Sequence, residues 1–160
     1  MTKEKAYTEH EAHGLFARNS NGHVWGLLEK TDRTKQEAEL MVHAAHASLY
    51  HWLKVGTAVN HQRGEWLIAR AYSELGLAEA ALRHAQRCRE LTEQYAGEME
   101  DFDRAYSHEC LARAQAVAGE LREARKLRAL AEEAGQAIAD GESKKCFFGD
   151  LNSGNWGDLS

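Results

Sequence analysis

The stretch HAAHASLYHW, residues 43–52, carries three histidines, a tyrosine and a tryptophan and no formal charge. On a helix, spacings of three and four stack Glu39, His43, His46 and Tyr50 along one edge, with His51 turned away from them. One chemistry open to this strip is metal binding. His43 and His46, with Glu39 or a donor from another helix, would take a divalent transition metal such as zinc, iron or copper, and Tyr50 would stand behind them. Glu9, His10 and His13 offer such donors near the start of the chain. Against this, HxxH is less diagnostic of zinc than HxxxH or HExxH, and the Glu-x-x-His signature of di-iron bundles is missing. A second reading makes the imidazoles hydrogen-bonded core groups, donating to Glu39, to Tyr50 or to a carboxylate across an interface, because buried polar groups need partners. A third is a polar pocket for a non-metal ligand. All three remain open at this level, and no other cofactor is expected.

The segment HQRGEWLIARAY adds Arg63, Trp66 and Arg70, whose spacing places them on one side of a helix. Two guanidinium groups beside an indole can clamp an anionic group bidentately and stack on a planar one. Facing the His43, His46 and Tyr50 strip, they would line a cavity for a small carboxylate or a peptide terminus. The competing reading packs Trp66 in the core and pairs the arginines with Glu37, Glu65 or Glu74. Motifs for nucleophilic or phosphoryl chemistry are missing: there is no GxSxG, no GxxxxGK[ST] and no GxGxxG. His108 and Cys110 lie about 200° apart around a helix, so they form no local dyad. The sequence leans away from an enzyme.

These residues must be positioned by helices. Alanine, leucine, glutamate and arginine dominate, and the chain contains no proline. Apolar periodicity predicts six helices near 5–30, 34–55, 59–75, 78–96, 101–118 and 121–140. TDRT at 31–34 supplies N-cap oxygens, Gly56-Thr57 ends the second helix, and Gly76 and Gly119 each allow a tight chain reversal. In the second helix Met41, Val42, Ala45, Leu49, Trp52 and Leu53 form a core stripe with Ala38, while Leu40, Ala44, Ala47 and Val55 lie opposite. A helix this apolar is expected to be buried on most sides.

Laying Gly76 over Gly119 reveals an internal repeat: Ile68 meets Leu111, Ala69 meets Ala112, Ala71 meets Ala114, Ala81 meets Ala124, and Cys88 meets Ala131. Small residues recur where helices approach closely, so each unit is a helical hairpin whose apolar face needs a neighbour. The stretch IARAYSELGLAEAALRHAQRC resembles a tetratricopeptide repeat in Ala69, Tyr72, Leu75-Gly76, Ala81 and Cys88. LARAQAVAGELREARKLRALA is similar, with Gln115 in place of the aromatic. The units exceed the usual ~34 residues, and the closing proline is missing. The resemblance covers residues 60–140 well and the first third poorly. It implies an all-α stack of three antiparallel hairpins, a right-handed solenoid that binds a peptide or partner on its concave face without catalysis. The combination of HAAHASLYHW, RGEWLIARAY and the GDL-x2-GxW ending also resembles a group of small bacterial repeat proteins.

One domain is expected over residues 1–141. The tail at 142–160, SKKCFFGDLNSGNWGDLS with its preceding residues, is too aromatic for ordinary disorder. Phe147, Phe148, Leu151 and Trp156 are expected to fold back as a cap on the last hairpin, the alternatives being a docking segment or a flexible tail. The chain of 160 residues has a formal charge of −5 with interspersed signs, which argues against nucleic acid as partner. Three cysteines without CxxC spacing read as reduced thiols. The first residues lack the apolar core of a signal peptide, and no membrane helix is expected. The combined expectation is a cytoplasmic binding or scaffold protein taking a peptide or small anionic ligand, with Arg63, Trp66, Arg70 and Tyr50 as anchors. The alternatives are a small helical enzyme or sensor built on His43, His46 and Tyr50, and a homodimer joined through an uncapped hairpin face.

Overall fold

The computed structural model describes residues 2–159, and among these every regular element is helical. The elements are α1 (Glu9–Leu28), α2 (Lys35–Val55), α3 (Ala58–Glu74), α4 (Ala78–Gln94), α5 (Asp101–Val117), α6 (Leu121–Gln136) and α7 (Gly141–Leu151), with a single 3₁₀ turn at Ala96–Glu98. No helix among the described residues is long and apolar enough to cross a membrane.

Local chemistry sets the boundaries. Thr8 opens α1 and Thr34 opens α2 with the same capping box. Each threonine hydroxyl accepts from a backbone N–H three residues on, at 3.1 Å, and the glutamate there, Glu11 or Glu37, accepts the threonine's own N–H in return. This cap starts α1 at Glu9, later than its apolar pattern predicts. Gly76 and Gly119 both take positive φ, +71° and +84°, a region L-residues with a Cβ avoid. The bonding around them is identical. Gly76 N–H donates to Ser73 and Leu77 N–H to Tyr72, while Gly119 N–H donates to Ala116 and Glu120 N–H to Gln115. The overlay of the two glycines therefore reports one Schellman turn used twice.

The helices pack in sequence as hairpins, α1 on α2, α3 on α4 and α5 on α6. Adjacent hairpins join through α2 against α3 and α4 against α5. The first helices of the hairpins also touch, α1 against α3 and α3 against α5, giving an inner row. The residues that the overlay pairs belong to the core: Ala69 and Ala112, Ala71 and Ala114, Ala81 and Ala124, and Cys88 and Ala131 are all buried. Small side chains there let the backbones approach, and Ile68 and Leu111 fill the space between them.

Two expectations change. Residues 141–151 form a helix, α7, which packs against both α5 and α6 and buries Phe147 and Leu151. Its start is written locally, since Asp140 accepts from Ser143 N–H at 2.8 Å as an N-cap. The second helix, meanwhile, is not enclosed all round. Met41, Ala45 and Leu49 are buried, but Leu40, Tyr50 and Leu53 are exposed, because α2 belongs to the first hairpin and is covered mainly by α1 and α3.

Candidate functional site

The inner row of α1, α3 and α5 gathers most of the chemistry. Arg63, Trp66 and Arg70 do share one side of α3, and that side faces α5. Arg63 grips the Asp103 carboxylate bidentately at 2.8 and 3.0 Å, with its guanidinium 5.0 Å over the Phe102 ring. Trp66 donates its indole N–H to Glu109 at 2.8 Å. Its ring stacks on Trp25 of α1 at 5.5 Å and receives the edge of Tyr106 at 5.1 Å. Arg70 reaches the same Glu109 at 3.2 Å, and Arg113 binds it at 2.7 Å from one turn along α5.

Glu109 is thus a fully buried carboxylate holding one indole and two guanidinium groups. Ionic groups survive such burial only when paired and hydrogen-bonded on most of their valences. Arg113 meets the condition by donating from both terminal nitrogens to the carbonyls of Asp150, Ser153 and Asn155. Burial still lowers its pKa, against the opposing pull of Glu109. Next to this network Tyr106 donates its phenol to Asp150 at 2.5 Å. Burial, and then that bond, pushes the phenol pKa up, while burial raises the Asp150 carboxyl pKa.

Two cavities flank Trp25. The smaller, about 260 Å³, is walled by Trp25, Trp66, Phe102 and Tyr106, with Arg63 and Asp103 at its polar side. The larger, about 470 Å³, is walled by Lys30, Arg33, Arg70, Glu74 and the α7 end at Asp150. In the latter Arg33 pairs with Glu74 at 2.9 Å.

The histidine strip lies elsewhere. His43 and Glu39 are exposed on α2, and Tyr50, also exposed, contacts His51 at 5.4 Å and Lys54 at 5.3 Å. His46 turns inward, its Nε2 2.9 Å from the Tyr72 hydroxyl and its ring edge-on to His84 at 5.3 Å. His84 in turn holds Glu65 at 2.6 Å. The order Glu65, His84, His46, Tyr72 makes a polar cluster spanning α2, α3 and α4. Burial, then the nearby His84, depresses the His46 pKa. His46 is therefore a hydrogen-bonded interface imidazole. Among the described residues no group of three His, Cys, Asp or Glu side chains is placed to share a metal ion. The structure does not bring Arg63, Trp66 and Arg70 to Tyr50 or His43: the arginines bond to α5, whereas Tyr50 contacts its own helix.

Asp103, Glu109 and Arg113 escaped the sequence reading, although a signal for them existed. The overlay that places Gly76 on Gly119 also places Arg70 on Arg113 and Trp66 on Glu109, so the inner face of α5 repeats the inner face of α3. The arginines' partners are Asp103 and Glu109 rather than Glu37, Glu65 or Glu74, because stacking brings α5 against this side of α3.

The chain matches no protein-family model, no curated protein and no solved structure.

Proposed function

We propose that the chain is a tetratricopeptide-repeat-like binding or scaffold protein of the bacterial cytoplasm, taking a peptide on the face formed by α1, α3 and α5. The observation that carries this reading is the aromatic cleft of about 260 Å³ between Trp25, Trp66, Phe102 and Tyr106. Pockets that enclose a drug-sized molecule run to about 300–1,000 Å³, so this cleft suits one side chain of a longer ligand. Aromatic walls supply apolar area at little entropic cost, and Arg63, whose side chain is 43% exposed, stands at the rim able to meet a ligand carboxylate or carbonyl. The acidic partner Asp103 limits its pull on anions, which favours an apolar or aromatic anchor with a polar neighbour over a bare small anion.

The test is a panel of short peptides that vary one apolar residue beside an acidic or neutral one, titrated into wild-type protein while backbone amide shifts are followed by NMR. Binding that perturbs α1, α3 and α5 together, and weakens about tenfold or more in Trp25→Ala, supports the reading. Shifts confined to other faces, or no saturable binding across the panel, would remove it.

A further inference from the structure

Residues 152–158 follow α7 without regular structure and cross the C-terminal ends of α3 and α5. They are held chiefly through their main chain. Arg113 donates to the carbonyls of Ser153 and Asn155 at 2.8 and 3.3 Å, and to that of Asp150 at 2.9 Å, with Arg70 reaching the same carbonyl at 3.4 Å. In the reverse direction Asn155 N–H donates to Glu74 at 3.0 Å, and the Asn155 side-chain amide donates to the carbonyl of Ser73 at 3.1 Å. Side chains are held as well: Arg128 donates to the Asn152 side-chain carbonyl at 3.2 Å, and the buried Trp156 indole has the Arg113 guanidinium at 4.2 Å and that of Arg128 at 4.3 Å.

A segment that merely caps a hydrophobic end face is served by apolar contacts, and a buried ionic surface is a costly way to achieve that. Here Phe147 and Leu151 of α7 supply apolar capping, to which Trp156 and Leu159 add. The backbone beyond α7 meets, besides, a set of charged donors and acceptors that matches it in both directions, as peptide-recognition sites do. The fit is also specific in shape. Gly154 has φ +77°, and a Cβ there would lie 2.5 Å from Arg70 Nη2 and 3.0 Å from both Arg113 Nη1 and Glu74 Oε2. Asn152, Ser153, Gly154, Gly157 and Asp158 are exposed, so the segment lies at the surface and is anchored inward by Trp156 and Asn155. Ser153 and Gly154 form a wall of the larger cavity, so their departure would widen it.

We infer that Arg70, Glu74, Arg113 and Arg128 form a peptide-binding site occupied in cis by residues 152–158, and that the ligand it accepts in trans is a short peptide with the same Gly-Asn-Trp-Gly turn. This rests on the reading of the α1, α3 and α5 face as a peptide-binding surface and adds a second, self-occupied site at its edge. A tethered ligand acts at an effective concentration of order millimolar, so an incoming peptide competes poorly until the segment is released.

The experiment uses the full chain and a labelled peptide of residues 149–160, GDLNSGNWGDLS. Wild-type protein should show no saturable binding. Gly154→Val, which pushes the segment off the guanidinium groups, and Trp156→Ala, which removes its buried aromatic anchor, should each keep the helical circular dichroism signal, speed amide exchange over 152–158, and bind the peptide. The same peptide with its tryptophan replaced by alanine should bind about tenfold or more weakly. The inference is overturned if both variants lose the cooperative helical fold, if the segment stays protected in both, or if a released and folded variant fails to bind. The peptide panel on wild-type protein is a separate measurement, so either reading can fail while the other stands.

Discussion

Replacing Glu109 by glutamine keeps the side chain's shape and removes its charge, which makes it the sharpest probe of the inner network. Glu109 is 0% exposed and accepts from Trp66 at 2.8 Å, Arg70 at 3.2 Å and Arg113 at 2.7 Å. A glutamine carbonyl can still accept one or two of these bonds, but its amide points two protons at groups that are themselves donors. Arg70 and Arg113, 6% and 0% exposed, then lose their shared counter-charge with no access to water. Breaking a buried pair in this way costs about 3–5 kcal/mol. For a chain of this length each kcal/mol moves the midpoint of thermal unfolding by about 2–4 °C, so a fall of about 6–20 °C is expected. Glu90→Gln is the control, because the Arg87–Glu90 pair is exposed on both sides and such pairs contribute little. Thermal and urea unfolding followed at 222 nm give both values, with the urea slope checking that the transition remains cooperative. If Glu109→Gln shifts the midpoint no more than Glu90→Gln does, the carboxylate is not the electrostatic centre of the α3 and α5 interface.

Three further outcomes follow from local geometry. Gly76→Ala and Gly119→Ala each force an alanine into left-handed backbone with no neighbour within 4 Å of the new Cβ, so each should lose about 1–2 kcal/mol from strain alone, and the double variant should show the sum. The His46 pKa lies below its ordinary value near 6.5 in the folded chain, so the unfolded chain takes up that proton first. Stability should fall as pH drops below about 6.5 and level off beneath the folded-state pKa, and His46→Gln should flatten that slope in urea titrations across pH. His51 and His108 are depressed in the same direction and leave a residual slope of the same sign. With a chromophoric thiol reagent Cys146, which is exposed, should react at once, whereas Cys88 and Cys110 should react only on unfolding, burial having also raised the Cys110 thiol pKa.

Much of the architecture was legible locally. Capping boxes at Thr8 and Thr34, Schellman turns at Gly76 and Gly119, and alternating small and large apolar residues act between neighbours three to five positions apart. Such interactions are nearly independent of what the rest of the chain does, so they are visible in the string itself. The hairpins and their stacking order follow from them, because short connections leave long helices no partner but the next one. The helix at Gly141–Leu151 was missed although Asp140 and Ser143 announce it, since its glycines and short length hide the apolar period that marks the other six.

The site was legible only as a face. Spacing placed Arg63, Trp66 and Arg70 on one side of α3, but which carboxylates meet them depends on how far α5 slides along α3, and no local rule specifies that. The repeat supplied the one long-range clue, by setting Arg113 in the place of Arg70. Where Trp156 comes to rest, and why His46 meets Tyr72 rather than Tyr50, is decided by contacts between residues tens of positions apart. Such pairings form only after the helices have docked, because each lone charge or imidazole is better solvated by water until the partner surface removes that water and supplies the opposing group.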